Sequence, residues 1–136
     1  MRILICDDDP LIIEQLQKFI ESFFKSNHIK CPELVSFTSG ESLLADSEEK
    51  DLVFLDIEMP GMNGIYIGNE LKKANKNVII FVVTSYSEYL DDAMRFHVFR
   101  YLSKPLDRSR FLRNMKDALT YYNSITVKIP VETRQG

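Results

Sequence analysis

Reactive side chains follow four apolar runs of this sequence, each just beyond the end of its run. They are the acids Asp7, Asp8 and Asp56, the hydroxyl of Thr84 and the amine of Lys104. Sites in open α/β sheets form beyond the carboxyl ends of the strands, so we expect these side chains to meet at one edge of a sheet. Carboxylates this close repel one another unless a cation lies among them, and Mg²⁺ is the natural one. A carboxylate nucleophile beside the metal, a lysine and a hydroxyl donor predict transfer of a phosphoryl group to an aspartate.

Each of these residues also has an ordinary structural explanation. Asp9 precedes a proline and is predicted to cap a helix. Asp7 and Asp8 lie between strand and cap, where an acidic pair has no structural reason to exist. Lys104 alone is more often a solvated cation, and Thr84 alone an ordinary hydroxyl at a strand end. Their joint placement at four strand ends is what favours a common site.

Continuous apolar runs, rather than alternating ones, indicate strands that are buried on both faces of a parallel sheet. Three runs are pronounced and two are weaker: Ile3–Cys6, Leu52–Leu55 and Val78–Val83, then Glu33–Phe37 and Phe99–Leu102. Helical patterns lie between them, the clearest from Leu11 to Phe24. The order β-α repeated five times predicts an α/β fold, with helices on both faces of a five-stranded parallel sheet.

Start signals for the helices agree with this division. Asp9-Pro10 places proline at the first helical position, and Thr38–Glu41 has the T-x-x-E spacing of a capping box. The remaining three helices are predicted to open at Asn63-Gly64, at Ser85 or Ser87, and at Asp107.

Composition indicates one soluble globular domain. The chain has 136 residues, of which 45% are hydrophobic and 27% are charged, which is typical of a domain that buries a core. Its net charge of −3 disfavours binding of nucleic acid or an anionic membrane by this chain alone. The longest aliphatic and aromatic run, Val78–Val83, is too short to cross a membrane, and Cys6 and Cys31 lack disulfide or zinc spacing. We therefore expect a cytoplasmic protein with two free thiols.

The C-terminal tail has a different pattern. Its apolar residues recur with the period of two that is typical of a strand: Ile125, Val127, Ile129 and Val131. The five predicted strands leave it no partner in the chain. We therefore expect residues 1–122 to form the folded domain and residues 123–136 to be a linker and the first strand of a further domain.

Four segments of the chain have a distinctive order and spacing: Ile3–Pro10, Asp56–Gly64, Val83–Ser85 and Tyr101–Pro105. Together they resemble the receiver domain of bacterial two-component response regulators over about residues 1–122. The resemblance implies a flavodoxin-like (CheY-like) doubly wound (βα)5 fold. It also implies a signalling domain rather than an enzyme, with only self-catalysed phosphorylation and dephosphorylation.

The resemblance assigns roles to the acidic residues. Asp56 would accept the phosphoryl group from the phosphohistidine of a sensor histidine kinase. Asp8 and Asp56 would bind Mg²⁺ through their carboxylates, Asp7 through water and Glu58 through its backbone carbonyl.

The resemblance also assigns the remaining residues of the site. Thr84 would donate its hydroxyl to the phosphoryl group, and Lys104 would pair with a phosphoryl oxygen. The Lys104-Pro105 bond is cis in the family. Tyr101 matches an aromatic switch that turns inward when Thr84 moves. The added charge would then favour one of two packings of the predicted fourth helix, fifth strand and fifth helix.

Two further segments, Thr84–Leu90 and Val98–Leu102, resemble receivers that precede a LytTR-type DNA-binding domain. The intact protein would then control transcription, with DNA bound only through a C-terminal domain missing from this chain.

The predicted fifth helix carries several positive charges: Arg108, Arg110, Arg113 and Lys116. Such a run usually means a solvated face. Alternatively it pairs with Asp91 and Asp92 of a second copy, in a homodimer formed by the predicted fourth helix, fifth strand and fifth helix. Such dimers are common in the resembled family.

Two alternative functions remain open. A Mg²⁺-dependent phosphatase of the haloacid-dehalogenase type also forms an aspartyl-phosphate, and needs a second carboxylate two residues after the nucleophile, where Glu58 stands. A pseudo-receiver would act as a binding module without phosphorylation. Turnover of small phosphate esters would favour the phosphatase. Failure to bind Mg²⁺ would favour the pseudo-receiver. No Gly-rich loop follows the first strand, so nucleotide-binding folds of that kind are excluded.

Overall fold

Five parallel strands form the centre of the molecule, in the order β2-β1-β3-β4-β5. They are β1 (Arg2–Cys6), β2 (Glu33–Phe37), β3 (Leu52–Leu55), β4 (Ile79–Thr84) and β5 (Arg100–Ser103). The structure is a computed structural model and describes residues 1–59, 63–85 and 96–135. Strands β1, β3 and β4 are buried along their whole length, as their continuous apolar runs predict.

Helices lie on both faces of the sheet: α1 (Pro10–Ser26), α2 (Gly40–Ala45), α3 (Gly64–Ala74) and a C-terminal helix (Arg108–Gln135). The first apolar cluster joins α1 and the C-terminal helix to the sheet and includes Leu16 and Phe111. The second joins α2 and α3 to the sheet and includes Leu43 and Ile67. Successive strand residues enter opposite clusters because side chains alternate across a strand. The predicted α/β fold with a five-stranded parallel sheet is confirmed.

The helix starts agree with the predicted caps except at α2. The Asp9 carboxylate accepts a hydrogen bond from the Leu11 N–H (3.0 Å), and Asn63 accepts one from the Ile65 N–H (2.7 Å). The α2 cap is Ser39 rather than Thr38, and its hydroxyl accepts from the Ser42 N–H at 3.1 Å. Ser39 still has extended backbone angles, so the helix begins one residue later than the capping-box spacing predicts. The predicted fourth helix falls on residues 86–95, outside the described residues.

The alternating pattern from Ile125 to Val131 does not form a strand. The backbone continues the C-terminal helix as far as Gln135. A strand satisfies its backbone groups only by pairing with another strand, whereas a helix satisfies them within its own turns. In this structure the segment is helical rather than extended, and the assignment of residues 1–122 and 123–136 to a domain and a linking segment stays a prediction.

Candidate functional site

The candidate site lies where the central strands end. In the sheet register, Cys6 at the end of β1 pairs with Leu55 at the end of β3, so the residues that follow them are neighbours. The Asp56 N–H donates to the Cys6 carbonyl at 3.0 Å, which ties the two strand ends together. The Lys104 N–H donates to the Thr84 carbonyl at 3.1 Å, which does the same for β5 and β4.

Three carboxylates converge at this edge, as the sequence predicts. Asp7 and Asp56 are almost fully buried, with 1% and 3% of their surface exposed, whereas Asp8 is exposed. One oxygen atom from each of the three lies within 4.8 Å of the others. Hard oxygen ligands at this spacing suit a divalent cation such as Mg²⁺.

Backbone amides orient the two buried carboxylates. Asp7 Oδ1 accepts from the Asp9 N–H and Asp56 Oδ1 from the Glu58 N–H, both at 2.9 Å. The other oxygens face Lys104, whose Nζ lies 3.0 Å from Asp7 Oδ2 and 3.5 Å from Asp56 Oδ2. The contact with Asp7 is an ion pair, and the contact with Asp56 is longer. Lys104 is therefore placed against both buried carboxylates, on the side opposite the amides that orient them.

The electrostatics of the site follow from its burial. Burial raises the pKa of Asp56 to about 6, and repulsion from Asp7 adds to this, while the Glu58 amide and Lys104 oppose it. Burial also raises the pKa of Asp7. Burial alone would lower the pKa of Lys104, but its ion pairs with Asp7 and Asp56 outweigh this and raise it. At neutral pH the site therefore holds buried negative charge that one lysine balances only in part.

The remaining predicted residues lie beside this edge. Thr84 is buried at the end of β4. Tyr101 is half-buried and packs against the second apolar cluster, on the α3 side of the sheet. The Lys104-Pro105 peptide bond is cis. These positions are compatible with the roles that the family resemblance assigns, and those roles stay predictions.

Glu58 is solvent-exposed, and it contacts Asp56 through its backbone N–H. The phosphatase alternative needs its carboxylate as an acid and base, and this hydrogen bond gives that alternative no support. Several residues of the predicted motifs lie outside the described residues: Pro60, Gly61 and Met62, and Tyr86 to Leu90 with Asp91 and Asp92.

Gly64, which the sequence predicts only as a helix start, also supports the site. A Cβ atom there would collide with the Cα atom of Ile57 and lie 2.9 Å from the Asp56 carbonyl oxygen. Only glycine lets α3 begin so close to the chain that carries Asp56. The Asn63-Gly64 pair carries no sequence signal for this close approach.

Cys6 lies directly before Asp7 and is fully buried. Its Sγ lies 3.5 Å from the Ser39 carbonyl oxygen and 3.9 Å from Met59 Sδ. Burial raises the pKa of the Cys6 thiol to about 12, and the neighbouring aspartates add to this. The thiol is therefore protonated and unreactive at neutral pH.

Comparisons with known proteins agree with this geometry. The family model for the response regulator receiver domain matches residues 3–116. The sensory transduction protein LytT of Bacillus subtilis is 30% identical over 136 residues, which cover 100% of this chain and 53% of LytT. The transcriptional regulatory protein BtsR of Escherichia coli K12 is 30% identical over 116 residues, which cover 85% of this chain and 46% of BtsR.

A solved structure is similar as well. The response regulator TrrA of Thermotoga maritima, in complex with Mg²⁺-BeF, is 31% identical with a TM-score of 0.73, and the match covers 86% of this chain and 97% of that one.

This chain spans about half the length of the curated relatives it matches. Within the described ranges, no helix is long and apolar enough to cross a membrane. The chain belongs to the response regulator receiver domain family, and LytTR-type response regulators are among its relatives.

Proposed function

We propose that this chain is a Mg²⁺-dependent phosphoacceptor that takes a phosphoryl group from a sensor histidine kinase on Asp56. The observation that carries the proposal is the setting of Asp56. This carboxylate is buried at the end of β3, fixed by the Glu58 amide, faced by Lys104 and grouped with Asp7 and Asp8. The Mg²⁺-BeF complex of TrrA supports the same chemistry.

The donor set fits Mg²⁺. Asp7, Asp8 and Asp56 would hold the ion with the backbone carbonyl of Glu58, and the grouping of one oxygen atom from each of the three carboxylates within 4.8 Å supports this assignment. When bound, the ion supplies positive charge that neutralises the phosphoryl oxygens.

The transfer itself needs few protein groups. An Asp56 carboxylate oxygen forms a bond to phosphorus while the bond from phosphorus to the kinase histidine breaks, and the histidine leaves with that electron pair. Lys104 balances charge on the phosphoryl oxygens, and the Thr84 hydroxyl donates a hydrogen bond to one of them. Because the pKa of Asp56 is about 6, the carboxylate is mostly ionised at pH 7 and ready to attack.

The output of this reaction is a change in packing. The phosphoryl group adds about −1.5 to −2 charges beside Thr84 and Lys104. Thr84 and Tyr101 then act as the switch that changes the face formed by β5, the C-terminal helix and the predicted fourth helix. We expect a homodimer through this face, and Arg110, Arg113 and Lys116 beside it would pair with acidic residues of the second copy.

In the intact protein, residues 1–122 would be the receiver domain and residues 123–136 the link to a LytTR-type DNA-binding domain. The name of BtsR, a transcriptional regulatory protein, supports an output in transcription. DNA would be bound only through that further domain, in the cytoplasm.

The first test is mass spectrometry after incubation with acetyl phosphate, with and without Mg²⁺. We expect one Mg²⁺-dependent phosphoryl adduct on Asp56 that Asp56→Asn lacks. Asp8→Asn should weaken Mg²⁺ binding and reduce the adduct even when Mg²⁺ is present, whereas Asp9→Asn, which keeps the α1 cap, should behave as the wild type does. A folded protein that forms no adduct with acetyl phosphate or with a histidine kinase would contradict the proposal.

A further inference from the structure

Phe96 and Gly68 form a close contact that the proposed chemistry does not use. Gly68 lies on the buried face of α3, and Phe96 is only 2% exposed. A Cβ atom built at Gly68 would lie 2.5 to 2.6 Å from the ring atoms Cε1, Cζ and Cε2 of Phe96. The tip of the ring therefore occupies the space that any other side chain at position 68 would need.

The Phe96 ring belongs to the apolar cluster against which the proposed switch residue Tyr101 packs. Phe96 is in the second apolar cluster, against which Val98 and Tyr101 pack. Val82, which pairs with Tyr101 in the β4–β5 register, belongs to this cluster too. Only three residues separate Phe96 from the start of β5 at Arg100, so the position of its ring constrains the chain that leads to Tyr101.

The same helix also contacts the phosphoacceptor segment. Gly64 lies one turn before Gly68, and the close approach at Gly64 is to the backbone of Asp56 and Ile57. Residues four apart share one face of a helix. One face of α3 therefore contacts the Asp56 segment at one end and Phe96 one turn later.

We infer that Phe96, seated over Gly68, is a positioning residue that fixes the surroundings of Tyr101 and passes movements of α3 to β5. Close-packed cores move between discrete arrangements rather than deforming smoothly, which makes such a contact able to transmit a shift. This route runs through α3 and is separate from the route through Thr84. Its switching part rests on the proposed function.

The test reads the surroundings of Tyr101 by ¹⁹F NMR in protein labelled with 3-fluorotyrosine. Tyr101→Phe assigns its resonance among the six tyrosines. We expect Gly68→Ala to displace the ring, to move the Tyr101 resonance in the ligand-free protein, and to reduce its response to Mg²⁺ and beryllofluoride by about half or more. Phosphorylation of Asp56 by acetyl phosphate should not change, because Gly68 does not touch the carboxylates.

Rescue separates positioning from general damage. Phe96→Leu removes the three crowded ring atoms, so in combination with Gly68→Ala it should restore the Tyr101 resonance and its response. Asn69→Ala, on the same helix, is the control and should match the wild type. If Gly68→Ala fails to fold, Phe96→Leu alone still tests the inference, because the space it leaves open over Gly68 should move the Tyr101 resonance, whereas the alanine of the double variant refills that space.

Two results would overturn the inference. One is a Tyr101 resonance in Gly68→Ala that is unchanged from the wild type. The other is a shift of that resonance in Asn69→Ala as large as the shift in Gly68→Ala. If the wild-type protein neither responds to beryllofluoride nor accepts a phosphoryl group, the proposed function fails instead. The resonances of the ligand-free variants then still decide whether Phe96 positions Tyr101.

Discussion

The buried carboxylates Asp7 and Asp56 are costly for the folded protein. Both lose hydration, and Lys104 is the one cation that the described residues place against them. Buried charged groups at functional sites commonly reduce the stability of the folded protein in this way. The free energy of unfolding should therefore report on the site.

Asp56→Asn should stabilise the metal-free protein at pH 7. The pKa of Asp56 is about 6 in the folded state and ~4 in an unfolded chain, so ionisation destabilises the fold by roughly 1–3 kcal/mol above pH 6. Asparagine keeps the shape without the charge. Urea denaturation in the presence of a chelator measures the difference.

The pH dependence of this effect has a definite sign. As pH falls from about 6 to ~4, the folded wild type binds a proton at Asp56 and the cost disappears. The advantage of Asp56→Asn should therefore shrink in that window. An advantage that stays constant from pH 7 to pH 4 would contradict the charge explanation.

Residue types predicted much of the site. Asp7, Asp56 and Lys104 meet because the ends of parallel strands meet, which a sequence can indicate. The contacts at Gly64 and Gly68 depend on distances between α3 and distant segments, which no local pattern encodes.

At the scale of elements, Arg2 holds the connection between α2 and β3 against the start of β1. Arg2 is only 8% exposed. Its guanidinium donates two hydrogen bonds to the Asp46 carboxylate, at 2.7 and 3.0 Å. This bidentate pair lowers the pKa of Asp46 to about 2.

Asp46→Ala should destabilise the protein by roughly 1–3 kcal/mol at pH 7, because it leaves the Arg2 charge buried without its main partner. In the wild type, stability from this pair is complete above pH ~4 and is lost as pH falls toward 2. Urea denaturation measures both effects. Glu33→Ala is the control, because Glu33 is exposed and its carboxylate lies 3.7 Å from the Arg2 guanidinium. An equal loss of stability in Glu33→Ala would argue against the bidentate pair.

Asp9 gives a prediction that separates the two kinds of aspartate in the first loop. Asp9→Ala removes the α1 cap and should cost about 1 kcal/mol in urea denaturation. It should leave phosphorylation of Asp56 unchanged. A loss of phosphorylation in a folded Asp9→Ala protein would mean that Asp9 belongs to the site.

Helix starts and buried strands were predictable because capping residues and continuous apolar runs act locally. The C-terminal tail was not, because its alternating residues fit a strand only if a partner strand is present. The helix that precedes it continues instead to Gln135. A helix satisfies its backbone groups within its own turns, so this segment needs no partner to be helical.

At the scale of the whole molecule, the two apolar clusters on either side of the sheet supply the core. Among the described side chains, the C-terminal helix contributes Phe111, Met115 and Ala118 to the buried core, all well before the tail. A chain ending at Ser124 should therefore melt within ~2 °C of the full chain by circular dichroism. A drop of more than ~5 °C would show that the tail belongs to the folded domain.

The thiol of Cys6 offers a practical consequence. Cys6 is fully buried and Cys31 is half-buried, so an alkylating reagent should modify Cys31 in the native protein and reach Cys6 only in molecules that have opened. When opening and closing are faster than alkylation, the rate at Cys6 measures the open population. The stability of this domain could then be followed by mass spectrometry in a crude extract, without purification and without an attached dye.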